Sequence, residues 1–178
     1  AGTERDIGHV YLVSVEERLS KSARDVVDCG WGEIDDIMDG GLGGGELGVI
    51  VAPAGIGKSW ALQCIGANNL KKGKTVVHYS LELNENYVGL RYDTIFSGVT
   101  TSNIKYYKDD VKKKLEKLSG KLMIKYYPTK AASVQTLSSH LKQLELQQIK
   151  PDIVLVDYAD ILMGVGKEKR FVLEVVTP

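Results

Sequence analysis

Cysteine is scarce in this chain: Cys29 and Cys64 are the only two, and they lie far apart. They form no metal-ligand spacing, so they read as reduced structural thiols of an intracellular protein. Net charge is missing too, because Lys plus Arg and Asp plus Glu both number 23. No global basic field draws the chain toward nucleic acid or a membrane, although a local patch stays open. The amino end, Ala1 to Arg5, is polar and has no signal-peptide core. No apolar run approaches membrane-spanning length. What remains is a chain of 178 residues, enough for one domain with a real hydrophobic core.

The stretch that organises the chain is Ile50-Val51-Ala52-Pro53-Ala54-Gly55-Ile56-Gly57-Lys58-Ser59. It reads as a buried strand, a glycine-rich turn and the start of a helix. A phosphate-binding P-loop has this layout: Gly, four residues, Gly, Lys, then Ser or Thr. Gly55 and Gly57 let backbone N–H groups turn inward toward a polyphosphate without a Cβ in the way. The helix beginning near Lys58 aims its unpaired donors and partial positive charge at the same anion. Lys58 is placed to neutralise the β- and γ-phosphates, and the Ser59 hydroxyl to ligate Mg²⁺. Ala52 stands where the leading Gly belongs, a departure that keeps a small residue there. The residues expected to hold a nucleoside triphosphate are Ala52, Pro53, Ala54, Gly55, Ile56, Gly57, Lys58, Ser59 and Trp60.

Residues 1–30 are mixed and charged and read as a linker or docking arm. From residue 31 to 178 the chain reads as one ATPase-type domain. Trp31, Ile34, Ile37 and Met38 form a helical face that stops at Gly40–Gly41. Gly43–Gly45 turn into a predicted strand, Glu46–Val51. A helix over 58–72 closes at Lys71, Lys72 and Gly73. Strand Lys74–Leu81 follows, then a helix capped by Asn84, with Tyr87, Val88, Tyr92, Ile95 and Phe96 as its apolar face and Gly98 as its stop. Residues 99–120 are lysine-rich, a run read first as a solvated face, with a short helix begun by Asp109 and Asp110. Lys121–Tyr127 is the next strand, stopped by Pro128. A helix is predicted from Ala131 to Gln148, and Asp152–Val156 is an apolar strand ending at Asp157. Strand and helix alternate from residue 46 onward, which predicts an α/β fold with a mainly parallel sheet covered by helices on both faces.

In such sheets ligands sit at the carboxyl ends of the strands. The P-loop, Glu82 and Asp157 all fall at such ends. Ile153-Val154-Leu155-Val156-Asp157 has the form of a Walker B strand, which delivers one carboxylate to the Mg²⁺ shell. Ser59 and Asp157 are thus the candidate metal residues. Glu82 is the candidate general base, a carboxylate able to polarise water against the γ-phosphate, with Lys58 as the second catalytic residue. The plainer reading of Glu82 is an exposed residue beside the Asn84 cap.

Together these residues resemble the RecA-like ATPase domain of DnaB-family replicative DNA helicases, most of all the phage members. The likeness runs from about Asp25 to Glu174. Ala-Pro-Ala-Gly-Ile-Gly-Lys-Ser (52–59) is similar to the family's P-loop. Ser-Leu-Glu-Leu (80–83) resembles the motif whose Glu is the family's catalytic base. Val-Asp-Tyr-Ala-Asp-Ile-Leu (156–162) resembles its Walker B motif. Asp160 stands where many members carry Gln, so no role is carried to it. Lys-Tyr-Tyr-Pro-Thr-Lys (125–130) is also similar to phage helicases. The resemblance implies ATP and Mg²⁺ as cofactors, a hexameric homo-oligomeric ring, and translocation on single-stranded DNA in the cytoplasm of a bacterium or phage-infected host. It implies channel loops and an arginine finger C-terminal to Walker B, and hence an incomplete core, since about twenty residues follow Asp157. Two other readings stay open: a regulatory or recombination ATPase of the circadian-clock or RecA type, which the Gly-rich turn Asp39–Glu46 also resembles, and a nucleotide-binding assembly module that does not turn over alone.

Overall fold

A computed structural model describes residues 15–16 and 25–158. Expectations for most of the N-terminal arm, and for the chain beyond Tyr158, Asp160 included, lie outside these residues.

Elements run in the order β1 (Val26–Val27), α1 (Gly32–Ile37), β2 (Leu42–Gly43), α2 (Lys58–Lys71), β3 (Thr75–Ser80), α3 (Glu85–Ser97), α4 (Lys108–Leu115), β4 (Lys121–Tyr126), α5 (Val134–Leu146) and β5 (Ile153–Asp157). β1 and β2 make a small antiparallel ribbon. The main sheet has the order β4-β3-β5, and both pairings are parallel. β3 sits at the centre because its residues can be buried on both faces. Val76, Val77 and Tyr79 are all fully shielded.

Side chains alternate across a strand, so β3 feeds two separate cores. On one face Val76 joins Ala67 and Leu70 of α2, Val88 and Tyr92 of α3, and Ile153 and Leu155 of β5. On the other, Val77 and Tyr79 join Leu81, Ala132, and Leu137 and Leu144 of α5. Helices therefore cover both sides of a parallel sheet. α2 lies close enough that a Cβ at Gly66 would stand 2.4 Å from the Tyr92 hydroxyl and 2.9 Å from Leu155. Only a residue without a side chain permits that approach.

Local chemistry sets the helix ends. Asn84 accepts from the Tyr87 amide at 3.1 Å, and Gly98 ends α3 in the left-handed region. Ser133 and Thr136 form a reciprocal capping box, so α5 begins at Val134 and not at the predicted Ala131. Tyr87, expected on the buried face of α3, is exposed, and the face is carried by Val88 and Tyr92. The chain before α1 is fastened to α2: Asn68 and Asn69 donate to the carbonyls of Cys29 and Asp28 at 3.0 and 2.9 Å.

One predicted element does not form. Residues 46–51 carry no strand pairing, and Val49 and Val51 are 70% and 88% exposed. A strand needs a neighbour to take its backbone hydrogen bonds. β5 bonds to β3 on one side, and no described strand lies on its other side. Residues 47–51 and β5 instead line one shared cavity of about 1110 Å³. The apolar sequence has strand character but no partner among the described residues.

Candidate functional site

The parallel sheet places the carboxyl ends of β3 and β5 side by side. Ser80 is in register with Asp157, and the Leu81 amide extends the ladder by donating to the Asp157 carbonyl at 2.8 Å. Beyond Ser80 the chain turns, with the Leu83 amide donating to the Ser80 hydroxyl at 3.0 Å. This turn carries Glu82 out of the sheet at the same end as Asp157.

The loop before α2 arrives at that end. Gly55 and Gly57 take φ of 80° and 106°, values that L side chains rarely adopt. A Cβ at either would meet no atom within 4 Å. Backbone conformation, not crowding, calls for glycine there. Gly57 is the N-cap of α2 and supplies no side-chain cap, and no acidic residue sits in the first turn. α3 and α5 each have a side-chain cap, so α2 starts with its end donors open on the side of the cavity. Lys58 folds over the loop and donates to the carbonyls of Ala52 at 2.6 Å and Pro53 at 2.9 Å. That uses two of the three ammonium donors and keeps the charge at the mouth of the loop.

Ser59 and Asp157, 98 positions apart, meet in a hydrogen bond of 3.0 Å from the hydroxyl to the carboxylate. Asp157 is only 4% exposed. Burial raises its pKa above the usual carboxylate range, the Ser59 hydroxyl pulls it down, nearby Glu82 pushes it up, and the Arg91 and Lys58 charges lower it. Glu82 is exposed at the rim of the cavity and makes no hydrogen bond or ion pair among the described residues.

Of the predicted nucleotide-holding residues, Ala52, Ala54, Gly55, Gly57, Lys58, Ser59 and Trp60 line the cavity together with Glu82 and Asp157. Pro53 and Ile56 do not. Pro53 contributes its carbonyl to Lys58, while Ile56 is exposed. Among the described residues no three His, Cys, Asp or Glu side chains gather to hold a metal ion. The donor set at Ser59 and Asp157 does suit Mg²⁺. Their 3.0 Å separation matches the edge of about 3.0 Å between adjacent oxygens of an octahedron with ligands at about 2.1 Å. Such a site leaves its other positions to phosphate and water.

Sequence reasoning passed over Arg91. It lines the same cavity, and its guanidinium lies 5.4 Å from the centroid of the Trp60 ring. The only signal was a cation on a helix that leaves the sheet next to Glu82, a weak one in a chain with many surface charges.

An α/β domain with a parallel sheet, a glycine loop and two strand-end carboxylates around one cavity is the class that fold and site define. The profile of the DnaB-like helicase C terminal domain matches residues 26–176, and the chain belongs to that family. A DnaB-like replicative helicase of Enterobacteria phage T4 is 33% identical over 137 residues, which is 72% of this chain and 29% of that protein. A solved structure of a DnaB-like replicative helicase, described with its interactions with primase, superposes with a TM-score of 0.65. It does so at 22% identity over 93% of this chain and 42% of that one, a likeness of fold. The chain thus spans less than half the length of either relative.

Proposed function

We propose that this domain binds ATP with Mg²⁺ and hydrolyses it as the motor of a replicative DNA helicase moving on single-stranded DNA. The observation that carries the reading is the hydrogen bond between Ser59 and Asp157 beneath the Gly55–Lys58 loop, with Glu82 on the same cavity. Lys58 and the open amides of α2 hold the β- and γ-phosphates. Ser59 and Asp157 hold Mg²⁺, which when bound neutralises phosphate charge. Glu82 takes a proton from water as its oxygen attacks the γ-phosphorus, the bond to the β,γ-bridging oxygen breaks, and ADP leaves. Phosphoryl transfer asks the protein for little beyond this positioning and charge stabilisation. The phage T4 relative and family membership support the helicase assignment over a regulatory or recombination ATPase. A homo-oligomeric ring and DNA contacts belong to the same proposal.

The test is Mg²⁺-dependent ATP hydrolysis with and without single-stranded DNA, on this chain and on a version extended through the end of its gene. Stimulation by DNA in the extended protein is the expected outcome. Indifference to DNA in both moves the assignment to a regulatory ATPase. Lys58→Ala abolishes nucleotide binding. Glu82→Gln keeps binding and loses turnover, by about 10²-fold or more. Unchanged turnover in that variant removes Glu82 from the role of base.

A further inference from the structure

We propose that the groove between β4 and α5 is a second anion site, separate from the cavity at the glycine loop, and that it takes a phosphate group.

Strand order creates the groove. β4 is an edge of the sheet, while α5 packs Leu137 and Leu144 with Val77 and Tyr79 of the central strand. Lys125 of β4 is in register with Tyr79, so it stands on the face that α5 covers. Lys125 and Tyr127 form one wall of a groove of about 520 Å³, and Gln135, Ser139, His140 and Gln143 contribute to the other. The α5 residues recur at three- and four-residue spacing, which places them along one side of the helix.

Formal charge on the groove walls has one sign. Asp plus Glu number 23 in the chain, as many as Lys plus Arg, yet no carboxylate lines these walls. Among the described residues Lys125 makes no hydrogen bond and no ion pair, and its ammonium stands 5.8 Å from the centroid of the Tyr127 ring. Its charge is felt by Glu85, but that carboxylate accepts from the Tyr126 amide at 3.0 Å and lies outside the groove.

His140 is the second donor, and a buried hydroxyl holds it in place. Tyr79 is fully shielded, and its hydroxyl meets Nδ1 of His140 at 2.8 Å, the two rings lying edge to face. The Leu137 carbonyl is the other acceptor, at 3.4 Å, so the hydroxyl hydrogen belongs to the shorter bond. Burial and the Lys125 charge lower the pKa of His140, which keeps the ring neutral at neutral pH. A neutral ring that accepts at Nδ1 carries its hydrogen on Nε2, away from Tyr79. The Nε2–H group, the Lys125 ammonium and the amides of Gln135 and Gln143 thus supply donors from both walls. A phosphate, with several strong acceptor oxygens, suits such a set. That phosphate belongs either to a small molecule or to a nucleic-acid backbone, and the test separates the two.

The experiment follows the ring signals of His140 by NMR as inorganic phosphate, a short thymidine oligonucleotide or poly-glutamate is added. It uses this chain and Lys58→Ala, so that filling of the glycine-loop site is not mistaken for filling of the groove. The expected result is a saturable shift with a phosphate probe that persists in Lys58→Ala. Lys125→Ala weakens it by about 10-fold or more. Tyr79→Phe, which releases the His140 ring, weakens it in smaller measure. Thermal unfolding checks that each variant is folded. Saturation at much lower concentration by the oligonucleotide than by inorganic phosphate identifies a backbone site, and any other order a small-molecule site. No shift with either phosphate probe, a shift unchanged in Lys125→Ala, or a shift with poly-glutamate alone overturns the proposal. Loss of the shift in Lys58→Ala assigns the phosphate to the glycine loop and overturns it as well.

Discussion

Two buried polar side chains on neighbouring strands, Asp157 of β5 and His78 of β3, respond to pH in opposite directions. Asp157 has a raised pKa because burial disfavours its charged form. Between its ordinary and raised values the folded state holds more protons than the unfolded chain, so stability falls as pH rises through the raised pKa. Above that range the ionised carboxylate is a cost. Asp157→Asn, which keeps an acceptor for Ser59, is therefore expected to melt higher than the unaltered chain at neutral pH. The gap closes as pH is lowered through the carboxylate range. On the proposed function the same variant is expected to lose Mg²⁺-dependent ATP hydrolysis, a stability gained where function is given up. Equal melting temperatures at all pH values count against the buried-charge account.

His78 works the other way. It is fully buried, with one ring nitrogen 2.9 Å from the Tyr92 hydroxyl and Nε2 without a hydrogen bond. Burial, aided by the Arg91 charge, lowers its pKa to about 4 from the ordinary 6.5. The unfolded chain then binds the extra proton first as pH falls. Its contribution is present above pH 6.5 and is lost progressively down to about pH 4. At about 1.4 kcal/mol per unit, the loss is on the order of 3 kcal/mol. Urea midpoints across that window should fall steeply for the unaltered chain and more gently for His78→Gln. Neither effect was legible in the sequence, because a histidine in a β-branched strand carries no mark of which face it will occupy.

At the scale of elements, the helix caps make the sharpest predictions. The side chain of Ser133 satisfies the Thr136 amide, and Thr136 returns the bond to the Ser133 amide. Ser133→Ala should cost about 1 kcal/mol, read from the urea midpoint. Faster amide exchange should be confined to the first turn of α5. The sequence announced α3, with Asn84 and Gly98 at its two ends, and it announced β4 and β5 through their apolar runs. It misplaced the start of α5 because Ala131 and Ala132 suit a helix, while the Ser133 cap decides where one begins. The segment Glu46–Val51 failed for a different reason. Its residues are as strand-like as those of β5, but pairing is a property of two segments, and periodicity reports only one. Glu82 and Asp157 were expected near strand ends, and β3 and β5 do bring both to one cavity, while the glycine loop reaches it with no strand leading into it. Arg91 was not legible, because its place depends on how α2 and α3 cross.

Taken as a whole, the molecule hangs on β3. Both its neighbours come later in the chain: β4 ends at Tyr126, and β5 begins at Ile153. No described helix is long and apolar enough to cross a membrane. Among the described residues α2, α3 and α5 cover the apolar faces of this sheet. The arrangement has a consequence for the order of synthesis. Until a ribosome has translated β5, β3 exists with its β5 edge unmatched and Ser59 without Asp157. Non-local strand pairing of this kind is slow and exposes sticky edges until it is complete. Chains halted before residue 153 should be readily cut by protease within α2 and β3, and chains halted well beyond residue 158 should resist. Protection that appears before β5 is made would detach the two events. The carboxylate that joins Ser59 is thus also the last residue of the strand that completes the pairing of β3, so the site cannot be assembled before that strand is made.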